Sequence, residues 1–127
     1  MQGTVFITGS SRGLGFALAD TFLGAGFDVI ATHRKDTCPK LDELSQRFPG
    51  RLETLRMDVL DENSVRQAAD EVRSSRGRLD VLINNAALCL DVDDSIQDLD
   101  LDAIRQQMDV NAYGPLRVTR AFLPLLE

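Results

Sequence analysis

The chain has 127 residues, room for one domain with a modest core. Its 20 acidic residues outweigh 14 basic ones for a net charge of −6, which opposes binding to nucleic acid or to anionic membrane surfaces. No apolar run approaches the ~20 residues that span a bilayer, and Met1-Gln2-Gly3 leads into a strand-like segment without a signal-peptide pattern, so a cytoplasmic protein is expected.

Thr4-Val5-Phe6-Ile7 is a short β-rich run, followed by a glycine-rich turn and then by Leu14, Leu18 and Phe22 at helical spacing. This predicts strand, turn and helix, with the helix ending at Gly26, where glycine suits a left-handed cap. Asp28 to Thr32 reads as a second strand. Pro39 fits the first turn of a second helix, with Leu41, Leu44 and Phe48 on one face. Leu52 to Val59 predicts a third strand. Asp61 then caps a helix burying Val65, Ala68, Ala69 and Val72, which Gly77 ends. Within a fourth strand over Leu79 to Ala86, the continuous run Val81-Leu82-Ile83 suits a parallel strand buried on both faces. Helices from about Asp100 to Met108 and Val110 to Leu126 complete the chain, the last carrying Leu116, Leu123 and Leu126.

Strands alternating with helices predict the α/β class, and right-handed crossovers order its parallel sheet 3-2-1-4. Cys38 and Cys89 lie far apart, with no Cys-x-x-Cys or Cys/His grouping, and read as ordinary thiols rather than a disulfide or zinc site. Six aspartates, at 91, 93, 94, 98, 100 and 102, read as a solvated acidic surface with helix caps, since their spacing does not establish the convergence that metal ligation needs.

Chemistry concentrates in Thr8-Gly9-Ser10-Ser11-Arg12-Gly13-Leu14-Gly15, between the first strand and first helix. A pyrophosphate there would meet backbone N–H groups and the positive end of the helix dipole. Gly9 permits the tight turn, while Gly13 and Gly15 let phosphate and strand approach the helix without an intervening Cβ.

The pattern Thr-Gly-x-x-x-Gly-x-Gly resembles the fingerprint of the short-chain dehydrogenase/reductase family, and three further segments match that family in order. Asp58-Val59 looks like its adenine-contacting Asp, Asn84-Asn85-Ala86-Ala87 like its Asn-Asn-Ala-Gly motif, and Met108-Asp109-Val110-Asn111 like the helix carrying its structural and catalytic asparagine. Ala87 departs from the usual Gly, with a small expected effect on the approach to the nicotinamide ribose. The stretch from Val110 to Arg120 is more narrowly similar to C-factor and sniffer-type members. The resemblance implies a Rossmann-type domain over residues 1–127 that is incomplete, stopping before a fifth strand. It also implies dinucleotide contacts from Thr8, Gly9, Ser11, Arg12, Gly13, Leu14, Gly15, His33, Arg34, Asp58, Val59, Asn85, Ala86 and Ala87.

A carboxylate ending the second strand selects NAD, and cations there select NADP. Here the strand runs Ala31-Thr32-His33-Arg34: His33 takes the usual acid position, Asp36 comes too late, and Arg12 and Arg34 can bracket a 2′-phosphate. NADP(H) is therefore expected over NAD(H), with the lone histidine, His33, beside the cofactor rather than acting as a base.

Of the Ser, Tyr, Lys and Asn that the family uses for hydride transfer, only Asn111 has a counterpart. The single tyrosine, Tyr113, is followed four residues later by Arg117, no serine follows Ser95, and the lysines are Lys35 and Lys40. The chain by itself is expected to be inactive, as the cofactor-binding part of a reductase whose intact form reduces a small carbonyl compound with NADPH. Alternatives are a non-catalytic dinucleotide-binding or signalling module, or half of an assembly completed by another chain. A fourth strand lacking its neighbour also predicts self-association.

Overall fold

A computed structural model describes residues 2–90 and 95–127. The chain runs β1 (Thr4–Ile7), α1 (Gly13–Gly24), β2 (Asp28–His33), α2 (Pro39–Arg47), β3 (Leu52–Arg56), α3 (Glu62–Ser75) and β4 (Val81–Ile83). A short 3₁₀ turn (Ile96–Asp98), α4 (Leu101–Met108), a π-helical turn (Asp109–Tyr113) and α5 (Gly114–Leu126) follow. All four strands are parallel and ordered β3-β2-β1-β4, as expected from the sequence. Among the described residues no helix is long and apolar enough to cross a membrane.

Alternation along the strands divides the core between the two sheet faces. Val5, Ile7, Val29 and Ala31 pack with Leu41 and Leu44 against α1 and α2. Phe6 and Ile30 face α3 and α5, where they meet Val65, Ala68, Ala69, Val72, Val118, Phe122 and Leu125. Phe6 and Phe122 are fully buried with ring centroids 4.4 Å apart, each removal from water contributing roughly 2–3 kcal/mol. At the sheet's far end Asp28 receives Arg51 at 3.5 Å and Arg76 at 3.1 Å, and Arg76 also reaches Glu53 at 3.4 Å, tying the end of α3 to β2 and β3.

Helix boundaries follow local chemistry. Pro39 occupies the first turn of α2, and the Asp61 side chain accepts from the N–H groups of Asn63 and Ser64 to cap α3. Gly26 and Gly77 adopt φ of +99° and +77° beyond the ends of α1 and α3.

Several sequence expectations need correction. The face of α1 against the sheet is Gly15, Ala19 and Leu23, while Leu14 is exposed and Leu18 and Phe22 are only partly buried. On α5 the buried face is Gly114, Val118, Phe122 and Leu125, whereas Leu116 and Leu123 are exposed. The third strand ends at Arg56 rather than Val59, and the fourth covers only Val81–Ile83. Those three residues touch both core layers but are half-buried, because β4 lies at the sheet edge. Asp91, Asp93 and Asp94 of the acidic stretch lie outside the described residues. In the remainder of that stretch, Asp98 accepts from the Ser95 hydroxyl, Asp100 caps α4, and Asp102 pairs with Arg105.

Candidate functional site

Parallel strands direct all their carboxyl ends to one side of the sheet, and a crevice opens there where consecutive connections diverge to opposite faces. In this chain that point lies between β1 and β4. A cleft of about 240 Å³ occupies it, lined from β1 onward by Gly9, Ser11, Arg12 and Gly13, and at the end of β2 by Thr32, His33 and Arg34. Met57, Asp58 and Val59 follow β3, Asn85 to Leu88 follow β4, and Val110 closes the wall.

Hydrogen bonds hold the cleft floor rigid. Thr8 donates its N–H to the Ile83 carbonyl at 3.1 Å, and its buried hydroxyl accepts from the N–H groups of Asn85 and Ala86, each at 2.9 Å. The Asn85 amide donates to the Gly9 carbonyl at 2.9 Å, and Ser10 N–H donates to the Thr32 carbonyl at 2.8 Å. The turn after β1 is therefore fastened to the ends of both neighbouring strands.

Close packing explains two of its glycines. A Cβ on Gly9, whose φ is +67°, would stand 2.7 Å from Ala86 Cα, and one on Gly15 would stand 2.1 Å from the Gly9 carbonyl oxygen. Gly13 differs: at φ +57° it faces open space on the cleft wall, where a side chain would intrude on a bound group. The first turn of α1 begins there with no acidic residue and no side-chain cap, leaving N–H donors and a positive dipole end toward the cleft.

Cationic groups lie alongside. Arg12 and Arg34 are exposed on the cleft rim, and among the described residues neither pairs with a carboxylate. Asp36 lies outside the cleft lining, in an exposed pair with Arg56 at 3.4 Å. His33 is buried, and among the described residues its Nδ1 has no hydrogen-bond partner. A glycine cradle, N–H donors, two unpaired guanidiniums and an unsatisfied imidazole nitrogen fit an anionic, phosphate-bearing ligand.

Of the residues selected from sequence, Gly9, Ser11, Arg12, Gly13, His33, Arg34, Asp58, Val59, Asn85, Ala86 and Ala87 line the cleft. Thr8 and Gly15 lie beneath it and shape its floor, while Leu14 is 68% exposed and contributes nothing to the lining. Thr32, Met57, Leu88 and Val110 were missed. Their common signal is position, since each stands at or just beyond a strand end or helix turn that converges on the crevice.

The Asp58 carboxylate accepts from Leu60 N–H at 3.0 Å, and Asp58 N–H donates to the Ser64 hydroxyl at 2.9 Å, which orders the loop after β3. Asn111 lies in the π-helical turn. Its side-chain oxygen accepts from Leu88 N–H at 2.7 Å and its amide donates to the Leu88 carbonyl at 2.8 Å, so both ends are committed to the segment after β4.

A family model described as short chain dehydrogenase matches residues 3–127. An oxidoreductase of Botryotinia fuckeliana is 41% identical over 122 residues, covering 95% of this chain and 43% of that protein. The NADPH-dependent 1-acyldihydroxyacetone phosphate reductase of Schizosaccharomyces pombe is 42% identical over 120 residues, covering 93% and 38% of the two chains. Among solved structures, the NADPH-bound carbonyl reductase from chicken fatty liver superposes with a TM-score of 0.88 at 28% identity, covering 96% of this chain and 50% of that one. The chain thus spans half or less of the length of each.

Proposed function

The chain belongs to the short-chain dehydrogenase family of oxidoreductases, and from that premise we propose that residues 1–127 form the NADP(H)-binding part of a carbonyl-reducing member. The observation that carries this reading is the juxtaposition of a glycine-lined helix start with two guanidiniums that lack carboxylate partners among the described residues. Gly13 and the first turn of α1 would hold the pyrophosphate, Arg12 and Arg34 the 2′-phosphate, and Asp58 and Val59 the adenine side. Asn85, Ala86 and Ala87 would lie along the nicotinamide ribose. The cofactor supplies the hydride.

NADP(H) is preferred in this reading because the end of β2 presents His33 and Arg34, with no acid to receive the ribose hydroxyls. Both the Schizosaccharomyces pombe reductase and the chicken carbonyl reductase carry NADPH in their names. Titration calorimetry with both reduced cofactors checks the preference: NADPH binds more tightly, and Arg34→Ala weakens it about tenfold, the worth of one charge-assisted hydrogen bond, with little change for NADH. Tighter binding of NADH by the wild-type chain would reverse the assignment.

These 127 residues contain no Tyr-x-x-x-Lys, and Asn111 spends both ends of its amide on Leu88. The chain alone is accordingly assigned cofactor binding without NADPH oxidation, and reduction of a small carbonyl compound is assigned to the intact enzyme.

Self-association completes the proposal. Among the described residues β4 pairs only with β1, leaving its outer edge to accept a strand from a second copy. Light scattering across a concentration series is expected to show mass rising above that of one chain, and a constant monomeric mass counts against it.

A further inference from the structure

We propose that Arg117 is a positioning residue that holds two walls of the cleft, Asp58–Val59 and Ala87–Leu88, in fixed relation; its consequence for cofactor affinity rests on the reading above. Arg117 projects from α5 with only 23% of its side chain exposed. Its Nη1 donates to the carbonyl of Val59 and to that of Asp109, each at 3.2 Å, and its Nη2 pairs with the Asp109 carboxylate. One guanidinium thus joins the loop after β3 to the first residue of the π-helical turn.

That turn connects to the opposite wall. A π-helical turn is wider than an α-helical one and is rare, occurring mostly as a single turn within a longer helix. Here the Asp109 carbonyl accepts both from Gly114 N–H, closing the wide turn, and from Arg117. Asn111, within the turn, clamps the Leu88 backbone in both directions. Val59 and Leu88 both line the cleft, so contacts through Arg117, Asp109 and Asn111 bridge its sides. Gly114 removes slack from the arrangement: a Cβ there would stand 3.0 Å from Val59 Cγ2, so α5 already rests against the loop.

Arginine suits this role because its planar fork serves two carbonyls and a carboxylate together. Without it, the half-buried Asp109 carboxylate loses its cation, and Val59 and Asp109 each lose a donor. The wide turn, and with it Asn111, is then free to relax toward regular helix. The segment around Leu88 would respond although Arg117 does not touch it.

Amide exchange of the ¹⁵N-labelled 127-residue chain tests this without cofactor. Arg117→Met is expected to speed exchange at Leu88 N–H about tenfold relative to core amides such as Phe6, and to weaken NADPH binding by a similar factor. Arg117→Lys, which retains a cation but not the fork, should restore part of both. A control, Leu44→Ala, loosens the core on the other sheet face and should leave Leu88 unchanged relative to Phe6. Unaltered Leu88 exchange in Arg117→Met, or an equal response in Leu44→Ala, overturns the proposal. If Arg117→Met does not fold, Asp109→Asn weakens the same pair, and the same Leu88 criterion decides. A wild-type chain that binds no NADPH refutes the cofactor assignment instead, and Leu88 exchange still decides the role of Arg117.

Discussion

Gly15→Ala is expected to lower stability by about 2–3 kcal/mol and to weaken NADPH binding about a hundredfold. The added Cβ would lie 2.1 Å from the Gly9 carbonyl oxygen and 2.5 Å from Asn85 Nδ2, atoms that already share a hydrogen bond. Either α1 retreats from the strand or the turn after β1 shifts. The turn has little room to shift, since Gly9 itself lies against the Ala86 backbone. Retreat of α1 moves its first N–H groups away from the position assigned to the phosphate, and a loss of about 1.4 kcal/mol at each of two charge-assisted hydrogen bonds accounts for the hundredfold weaker binding. Gly13 makes the useful contrast: it has open space for a Cβ, so the strain there comes from its φ of +57° alone. Urea unfolding and NADPH titration of the alanine variant measure both effects, and binding within twofold of wild type would show that the helix start does not hold the cofactor.

Thr8→Val should cost roughly 2–4 kcal/mol, although it preserves shape. The threonine hydroxyl is buried and accepts from two backbone N–H groups, those of Asn85 and Ala86, at 2.9 Å. A methyl in its place leaves both donors without this acceptor, each at about 1–3 kcal/mol. Thr8→Ser retains the oxygen and is expected to stay within about 1 kcal/mol of wild type, the scale of a removed buried methyl. Because the two N–H groups begin the cleft segment assigned to the nicotinamide side, Thr8→Val should also weaken NADPH binding, whereas Thr8→Ser should not. Equal stability of the valine and serine variants would show that the hydroxyl does not hold β1 and β4 together.

Local structure around the cleft was legible in the sequence where short-range chemistry sets it. Glycines at 9 and 15 announce a turn that brings backbone close to backbone, and Pro39, Asp61 and Gly77 mark helix ends through φ restriction, side-chain capping and left-handed backbone. Each signal lies within a few residues of its effect. Strand order follows similarly, because parallel strands joined by right-handed helical crossovers have few ways to form one sheet.

Helix phase was less legible. Leu14, Leu18 and Phe22 at helical spacing marked α1 as a helix without fixing its inward face, and because contact with the turn admits only small residues at its start, Gly15 and Ala19 face inward. In α5, the widened turn from Asp109 to Tyr113 precedes the helix, and Val118, Phe122 and Leu125 turn inward while Leu116 and Leu123 remain outside.

The sequence by itself determined the α/β class, the strand order, the glycine turn and the residues that most of the cleft lining draws upon. Local backbone preferences and hydrophobic period suffice for these. Only the tertiary structure decided that Thr32, Met57, Leu88 and Val110 join the lining, that Leu14 does not, and that Arg117 ties the loop after β3 to the turn bearing Asn111. Those outcomes depend on contacts between residues as far apart in the chain as Val59 and Arg117, whose strength is set by the packing of α5 on the sheet rather than by the identity of any neighbour in sequence.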